Sequence, residues 1–204
     1  MKKTEIYSLA DLTETNLEHI SAVLLKGGVL AAPTDTVYGL MVCAKPEFLA
    51  LLNAAKNNPA DKPAQILCSK EQSKTLAQDC EGLKMALQIW PGALTAILPA
   101  SPKGVKLSGL KTVGLRVPAS PFMESIFKLT SLPVYASSAN EQSLPTLEKE
   151  EEIINFFDGK VDIIIKSGLL KAEPSAVIDF TQSPSKIIRR GALSEKDLQK
   201  VFSK

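Results

Sequence analysis

The sequence has a single histidine, His19, and only three cysteines, Cys43, Cys68 and Cys80. One histidine cannot build a histidine-based metal cluster, and a Ser-His triad would have to use this residue, which falls in a predicted surface helix. Three cysteines without tight spacing form neither a disulfide framework nor a zinc motif. We therefore expect free thiols in a reducing cytoplasm and a chemistry that does not depend on histidine.

Long hydrophobic runs are also missing, since none approaches the length of about 20 residues that a membrane span needs. The N-terminal stretch 1–5 leads into polar residues and not into the apolar segment of a signal peptide. Neither Gly-x-x-x-x-Gly-Lys-Ser/Thr nor Gly-x-Gly-x-x-Gly occurs, which excludes the P-loop and the Rossmann fingerprint. These absences predict a cytoplasmic protein that does not bind membranes.

The residues that are present fit an ordinary globular protein of 204 residues, with 45% hydrophobic and 23% charged residues. The chain is long enough for one sizeable core and contains no internal repeat, low-complexity segment or linker. Residues 1–204 are therefore predicted to form one domain. The net charge of +2 does not by itself indicate a nucleic-acid partner, although a local basic surface stays open.

The hydrophobic periodicity predicts an α/β fold in which helices pack on a twisted, mixed parallel and antiparallel sheet, because some strands are joined by helices and others by short turns. A capping box at Thr15 and Glu18 starts the first helix, and Gly27 ends it. The segment 101–111, with Pro102, is predicted to be a loop or hairpin. The predicted strands are 29–33, 37–44, 65–69, 93–98, 112–117, 133–137, 161–165, 176–180 and 186–190. The predicted helices are 13–27, 46–56, 70–78, 82–89, 121–129, 147–157 and a last one capped by Ser194.

The segment 27–40 is a strong site candidate. Its apolar strand ends at Pro33 and is followed by Thr34, Asp35 and Thr36. A rigid strand that presents hydroxyls and a carboxylate at its end is typical of a functional loop. The same residues could instead form a Pro-Thr-Asp turn whose hydroxyls bind their own backbone, and local physics does not decide between the two.

Several other predicted strand and helix ends carry hydroxyls, an amide or cations. An arginine inside the apolar strand 112–117, Arg116, is costly unless its head is paired or lines a cleft, although alternation could also place it on the solvent face. Together these groups predict a cleft for an anionic polar ligand such as a nucleotide or an amino acid. The residues are Thr34, Thr36, Lys56, Arg116, Ser137, Ser138, Asn140, Ser175 and Arg189.

Seven segments in order resemble the YrdC-like family, the threonylcarbamoyl-AMP synthases, and the resemblance covers nearly the whole chain. Any one segment is a weak signal, whereas six or seven in the family's order are a specific one. The segments are Pro33-Thr34-Asp35-Thr36-Val37-Tyr38-Gly39-Leu40, Lys56 with Asp61-Lys62-Pro63, Trp90-Pro91-Gly92-Ala93-Leu94-Thr95, Val113-Gly114-Leu115-Arg116-Val117-Pro118, Ser137-Ser138-Ala139-Asn140, Pro174-Ser175-Ala176-Val177 and Arg189-Arg190-Gly191.

The resemblance implies a single-domain YrdC-like fold and a nucleotidyltransferase. L-Threonine, bicarbonate and ATP would give L-threonylcarbamoyladenylate and pyrophosphate. Other proteins would then transfer the threonylcarbamoyl group to adenosine 37 of tRNAs that read ANN codons. By position, the residues that hold threonine are Thr34, Arg116, Ser137 and Ser175. Those that hold ATP are Lys56, Asn58, Ser138, Asn140 and Arg189.

Within this resemblance, the fork of Arg116 clamps the carboxylate of the amino acid, and the other cations meet the phosphates of ATP. No side chain acts as nucleophile or base. The carbamate formed from the amine of threonine and bicarbonate attacks the α-phosphate, and Mg²⁺ accompanies ATP. Thr34 faces the amino acid, while Asp35 and Thr36 shape the loop by local hydrogen bonds.

The chain departs from the family pattern in three places. The family's Lys-x-Arg reads Lys56-Asn57-Asn58, so one phosphate-binding cation is missing, and its loss costs several kcal/mol if it acts on the transition state. The family's Thr-Ser-Ala-Asn-x-Ser-Gly reads Ser137-Ser138-Ala139-Asn140-Glu141-Gln142-Ser143, and its Pro-Ser-Thr-Val reads Pro174-Ser175-Ala176-Val177. Three alternatives follow. The activity survives weakly, Lys62 takes the place of the missing arginine, or the chain is a divergent paralogue.

A second hypothesis is a binding module without catalysis. YrdC-like proteins are also associated with RNA binding on a basic concave face, which Lys103, Lys106, Lys111 and Arg116 could extend here. The same lysines could equally belong to a solvated loop, given the modest net charge.

Overall fold

The computed structural model describes residues 3–140, 146–170 and 173–202, which form one ten-stranded sheet and eight α-helices. The strands are β1 (Glu5–Ser8), β2 (Leu30–Pro33), β3 (Tyr38–Cys43), β4 (Gln65–Leu67), β5 (Leu94–Pro99), β6 (Thr112–Arg116), β7 (Val134–Ser138), β8 (Ile163–Lys166), β9 (Ala176–Asp179) and β10 (Lys186–Arg189). The helices are α1 (Glu14–Leu25), α2 (Leu49–Ala54), α3 (Lys70–Leu76), α4 (Glu81–Ile89), α5 (Pro102–Ser108), α6 (Pro121–Thr130), α7 (Glu150–Phe157) and α8 (Glu195–Phe202).

The sheet is mixed, as predicted. The spatial order of the strands is β1-β8-β2-β3-β7-β4-β6-β5-β9-β10. The pairs β1–β8, β2–β8, β4–β6 and β5–β9 are parallel, and the other five are antiparallel. All six residues of β3 are buried, so this strand lies in the middle of the core. The predicted α/β class is therefore confirmed.

The two faces of the sheet are covered differently. On β3, Tyr38, Leu40 and Val42 contribute to the larger core on one face, whereas Met41 and Cys43 contribute to a second cluster on the other face, as the alternation of a strand requires. Helices α1 and α6 contact each other and complete this second cluster with β2, β7 and β8. Further along the same face, β4, β6, β5 and β9 line an open cleft.

Helix α1 begins at a different cap from the predicted one. Thr13 is the N-cap: its hydroxyl accepts a hydrogen bond from the backbone N–H of Asn16, and the Asn16 side chain accepts one from the backbone N–H of Thr13. The predicted cap at Thr15 is therefore wrong, because the spacing of Thr13 and Asn16 is the same and Asn can play the role of Glu. Gly27 follows the helix in the left-handed region, with φ = 90°, as predicted.

The segment 101–111 is helical, so the predicted loop or hairpin is wrong. Ser101 caps α5 by accepting a hydrogen bond from the backbone N–H of Gly104, and Pro102 occupies the first turn, where its missing N–H is harmless. Gly109 ends the helix with φ = 69°. The same residues that break a helix in its interior favour its two ends, which is why the pattern misled the prediction.

Strand β1 was not predicted. It pairs with β8 alone at the edge of the sheet, and its four residues are exposed or half-buried. An edge strand of this kind lacks the continuous apolar run by which buried strands are found.

The cysteines and the histidine do not line the cleft. The three thiols are free, and burial raises the pKa of Cys43 to about 11 and that of Cys68 further, so both stay protonated at neutral pH. His19 is on the surface, with Nε2 2.9 Å from a carboxylate oxygen of Glu5. Among the residues with described positions, no group of three or more His, Cys, Asp or Glu side chains could hold a metal, and no helix is long and apolar enough to cross a membrane.

Gly104 provides a test of how α3 and α5 pack. A Cβ at this position would lie 2.0 Å from the carbonyl oxygen of Leu76, so Gly104→Ala forces the two helices apart. We expect the free energy of unfolding to fall by about 2 kcal/mol, although alanine is the better helix former, because overpacking outweighs propensity. Urea denaturation measures the change. Lys103→Ala, in the exposed first turn of the same helix, is the matched control, and equal effects of the two substitutions would contradict the close approach.

Candidate functional site

An open cleft of about 850 Å³ lies over the strands beyond α1 and α6. Its floor consists of alternate residues of β3, β7, β4, β6 and β5, which all point to the same face of the sheet. Small residues occupy three of these positions, Gly39, Gly114 and Ala136. They leave a space of the size that small-molecule sites have.

Most of the residues that were predicted to bind ligands line this cleft. The seven that do are Thr34, Arg116, Ser137, Ser138, Asn140, Ser175 and Arg189. The other two, Lys56 and Asn58, are not among its lining residues. The carboxylates of Glu148 and Glu173 stand at its exposed rim.

The loop after β2 is a closed turn and part of the cleft at once. The hydroxyl of Thr34 donates a hydrogen bond to the carbonyl oxygen of Val37 at 2.7 Å and accepts one from the backbone N–H of Thr36 at 3.1 Å. Thr34 also lines the cleft. The predicted turn is therefore present, and it also holds Thr34 against the cleft, so the turn does not exclude a site.

Arg116 is almost fully buried, with 2% of its surface exposed, so the alternative of a solvent-facing side chain is wrong. Its Nη2 donates to Oδ1 of Asp35 at 2.6 Å, its Nη1 to Oγ1 of Thr36 at 2.8 Å, and its Nε to the carbonyl oxygen of Gly92 at 3.2 Å. Asp35 and Thr36 were predicted to act locally within their loop. For Asp35 that prediction is wrong, since its carboxylate binds an arginine 81 residues further along the chain. Thr36 does bond locally, to the hydroxyl of Thr34, and its own hydroxyl also accepts a hydrogen bond from Arg116.

The charges at this end of the cleft favour an anion. Burial lowers the pKa of Arg116, the charge of Arg189 lowers it further, and Asp35 opposes both effects. One carboxylate therefore stands against two neighbouring guanidinium groups. A guanidinium has five N–H groups, and only three of those of Arg116 bind residues within the described ranges. Two N–H groups remain for a ligand.

Lys56 binds the end of β7 from within the protein. Its Nζ donates to Oγ of Ser137 at 2.9 Å, to the carbonyl oxygen of Ser138 at 2.5 Å and to Oδ1 of Asn140 at 2.7 Å. These three bonds use all the N–H groups of an ammonium, and all three acceptors are neutral. The structure thus joins three of the cleft-lining residues that were predicted to contact ATP or threonine to a fourth, Lys56, which does not line the cleft.

The surroundings of Lys56 disfavour its charged form. Only 6% of the residue is exposed, and burial, followed by the charge of Lys62, lowers its pKa to about 8. A phosphate group close to Nζ would reverse this shift, because an opposite charge stabilises the ammonium.

The side chain of Asn53 fixes the loop that carries Asn58 by hydrogen bonds to its backbone. Asn53 is 3% exposed, and its Nδ2 donates to the carbonyl oxygens of Ala60 and Lys62 at 3.0 and 2.9 Å. Asn57 takes the left-handed conformation, with φ = 54°, and turns the chain after α2. Oδ1 of Asn58 accepts a hydrogen bond from Nζ of Lys62 at 3.1 Å, so Lys62 lies beside Asn58. The altered segment 141–143 lies outside the described residues.

A row of hydrogen bonds across the floor of the cleft was not predicted. The hydroxyl of Thr95 bonds to Oε1 of Gln65 at 3.0 Å and to Oγ of Ser175 at 2.9 Å. Arg189 donates from Nε to the carbonyl oxygen of Ser175 at 2.9 Å and from Nη2 to its Oγ at 3.5 Å. Thr95 is 4% exposed and follows a buried leucine in an apolar strand. A hydroxyl in such a run is the signal that could have identified it.

The basic residues of the second hypothesis lie at one edge of the cleft. Lys103, Lys106 and Lys111 are exposed on α5 and just after it, and Ser108 and Leu110 between them line the cleft. Arg116, by contrast, is buried and cannot belong to a solvated basic surface.

Residues 22–191 match the Sua5/YciO/YrdC family, which is described as telomere recombination. The chain is 34% identical over 199 residues to a threonylcarbamoyl-AMP synthase of Pyrococcus abyssi, covering 94% of this chain and 58% of the relative. It is 29% identical over 197 residues to a threonylcarbamoyl-AMP synthase of Bacillus subtilis, covering 93% of this chain and 57% of the relative. The chain therefore spans somewhat more than half the length of these curated relatives.

Two solved structures resemble the protein closely. Sua5 of P. abyssi in complex with L-threonine superposes with a TM-score of 0.88 at 32% identity, over 98% of this chain and 61% of that one. YciO of Escherichia coli superposes with a TM-score of 0.83 at 22% identity, over 97% of this chain and 99% of that one. The second likeness concerns the fold alone. The predicted YrdC-like fold is confirmed.

Asp35→Asn tests the ion pair between Asp35 and Arg116. The substitution keeps the shape of the side chain and leaves the guanidinium of Arg116 buried without a counter-charge. We expect the free energy of unfolding to fall by about 3 kcal/mol, as when one partner of a buried ion pair is removed. Urea denaturation checks this value. Asp61→Asn changes an exposed carboxylate and should stay within about 0.5 kcal/mol of the wild type; a similarly small effect of Asp35→Asn would rule out an important pair.

Proposed function

Because the chain belongs to the Sua5/YciO/YrdC family, we propose that it forms L-threonylcarbamoyladenylate and pyrophosphate from L-threonine, bicarbonate and ATP. The observation that carries this proposal is the cleft in which two guanidinium groups, of the buried Arg116 and the exposed Arg189, meet a floor of hydroxyl groups. Such a cleft suits a ligand that is anionic at one end and rich in hydrogen-bonding groups elsewhere.

The amino acid would lie at the Arg116 end. Arg116 would meet the carboxylate with its two remaining N–H groups, one on Nη1 and one on Nη2, and Asp35 and Thr36 fix the orientation of the guanidinium. Thr34, Ser137 and Ser175 line the same cleft and would contact the rest of the threonine molecule.

ATP would extend from this point toward the end of β7. Arg189 is the cation nearest to the amino acid and, in the part of the chain described, it has no carboxylate partner. Ser138, Asn140, Lys56 and Asn58 would complete the contacts, and a phosphate group near Lys56 would raise its pKa. Mg²⁺ would enter with ATP, held chiefly by phosphate oxygens and water, as is usual for this ion.

The reaction needs positioning and charge stabilisation rather than a nucleophilic side chain. The amine of threonine attacks the carbon of bicarbonate, and water leaves as the carbamate forms. An oxygen of the carbamate then attacks the α-phosphorus of ATP, and pyrophosphate carries away the electron pair of the broken P–O bond. The cations of the cleft would stabilise the charge that develops on the phosphates.

The product would serve tRNA modification in the cytoplasm. Threonylcarbamoyladenylate is a mixed anhydride, so other proteins can transfer its threonylcarbamoyl group to adenosine 37 of tRNA. Whether this chain also contacts tRNA is a separate proposal, which rests on the exposed lysines of α5.

A pyrophosphate assay tests the proposed reaction. We expect slow pyrophosphate release from ATP that requires both L-threonine and bicarbonate, each omitted in turn. Asn58→Arg restores the family's cation and should raise the rate about tenfold, which corresponds to about 1.4 kcal/mol of the activation barrier. Lys103→Arg, at an exposed position on α5, is the control. No threonine-dependent release from either the wild type or Asn58→Arg would overturn the proposed synthase.

A second measurement follows the proton on Lys56. Because its pKa is about 8 in the free protein, ATP binding should take up a fraction of a proton at a pH of about 8.5 and weaken as the pH rises further. Calorimetric titration in buffers with different ionisation enthalpies measures the uptake. Lys56→Arg keeps its charge at this pH and should abolish it. ATP binding without proton uptake by the wild type would contradict a role of Lys56 at the phosphates.

The second candidate function is RNA or nucleotide binding without catalysis. Two observations favour it: the partners of Lys56 are neutral, and position 58 holds asparagine. In that case tRNA binding should weaken steeply with salt, through Lys103, Lys106 and Lys111. Filter binding at increasing salt, with a Lys103→Gln, Lys106→Gln double variant, separates this case, since a flat salt dependence would exclude an electrostatic platform.

A further inference from the structure

We propose that Thr95 and Gln65 are positioning residues that turn the hydroxyl of Ser175 into a pure hydrogen-bond acceptor for the amino acid substrate. This inference rests on the proposed function, because it concerns the same cleft. Neither residue was among the predicted ligand contacts. A continuous set of hydrogen bonds, here called the floor relay, joins Gln65, Thr95, Ser175 and Arg189.

The direction of the floor relay is fixed at both ends. At one end, Oε1 of Gln65 can only accept, so the single proton of the Thr95 hydroxyl points toward Gln65, 3.0 Å away. The Thr95 oxygen must then accept from the hydroxyl of Ser175, 2.9 Å away. At the other end, Nη2 of Arg189 can only donate to Ser175. The proton of Ser175 is therefore committed to Thr95.

The relay depends on the register of three strands. Leu115 of β6 pairs with Ile66 of β4 on one side and with Ala96 of β5 on the other, so Gln65 and Thr95 flank β6. Their side chains bond across β6, 3.0 Å apart, on the face where Gly114 has no side chain. A Cβ at Gly114 would find only the methyl group of Thr95, at 4.0 Å. The register of the strands therefore brings the two residues together.

Burial makes the direction of the relay matter. Ser175 is 2% and Thr95 4% exposed, so water cannot easily replace a missing partner. A hydroxyl has one proton and two lone pairs. In Ser175 the proton goes to Thr95 and one lone pair faces Arg189, which leaves the second lone pair for a ligand. Any ligand group that meets Ser175 must therefore be a donor.

An amino acid whose carboxylate binds Arg116 offers two such donors. One is the α-amino group, and the other, in threonine, is the side-chain hydroxyl. Donation of an amine N–H to Ser175 leaves the nitrogen lone pair free for bicarbonate, whereas donation by the hydroxyl selects a hydroxylated side chain. The relay excludes a third arrangement, in which Ser175 donates to the substrate carboxylate.

Calorimetric titration of the full chain with L-threonine and with L-valine tests the proposal. Valine has the shape of threonine without the hydroxyl. Thr95→Val removes the relay and should weaken threonine binding about tenfold, while Thr95→Ser, which keeps the hydroxyl, should stay within about threefold. Thr130→Val is the matched control, because Thr130 is also buried and hydrogen-bonded but lies in α6 away from the cleft.

The valine titration identifies the donor. A loss confined to threonine assigns the hydroxyl, and an equal loss for both amino acids assigns the amino group; either result supports the relay. Unchanged threonine affinity in Thr95→Val, or a loss no larger than that of Thr130→Val, would overturn it.

A ligand-free measurement separates this proposal from the proposed function. The losses in melting temperature of Thr95→Val and Gln65→Leu should be clearly less than additive in the double variant, because both remove the same hydrogen bond. Additive losses would overturn the relay. A wild type that binds no L-threonine, with coupling between the two residues intact, would instead overturn the proposed synthase and confine the relay to a structural role.

Discussion

The architecture of the cleft depends on the buried ion pair between Arg116 and Asp35. Asp35 follows β2 and Arg116 ends β6, and three strands, β3, β7 and β4, lie between those two in the sheet. The pair therefore spans the floor of the cleft and holds the loop after β2 over it. A guanidinium with 3% of its side chain exposed is tolerable only with such a partner, so the position of the loop and the burial of Arg116 require each other.

The rest of the site follows from the unequal cover of one sheet face. Helices α1 and α6 bury large side chains over β8, β2, β3 and β7. Beyond them, glycine and alanine on the floor keep the cleft open, and polar residues appear at the strand positions that would otherwise be apolar. The functional surface is thus a continuation of the core pattern in which helix packing has been replaced by space for a ligand.

The sequence predicted what depends on local pattern or on motif order. The buried strands and the mixed sheet were found in this way, and seven of the nine residues that were predicted to bind ligands line the cleft. It failed where residue types that break the interior of a helix instead begin or end one, as Pro102 and Gly109 do in α5. It also failed for Asp35, Gln65 and Thr95, whose partners are set by strand register and not by sequence spacing. A single chain contains no local signal for such pairs.

The two best-buried cations near the cleft have different hydrogen-bond partners, and this difference bears on which ligand groups each can bind. Arg116 has a carboxylate partner and two N–H groups without a partner among the described residues. It therefore offers a ligand oriented hydrogen bonds more than net positive charge. Lys56 has three neutral oxygen partners and no carboxylate among the residues whose contacts are described, so its charge is unbalanced.

A buried positive charge without a counter-charge favours the binding of an anion. The ammonium of Lys56 is already fully hydrogen-bonded, so a phosphate would gain little from a new hydrogen bond and much from the electric field. A ligand with a carboxylate at one end and phosphates at the other would satisfy Arg116 by geometry and Lys56 by charge. In the proposed reaction, the fold would then contribute the positions of Arg116 in the cleft and of Lys56 behind the end of β7, and not a reactive side chain.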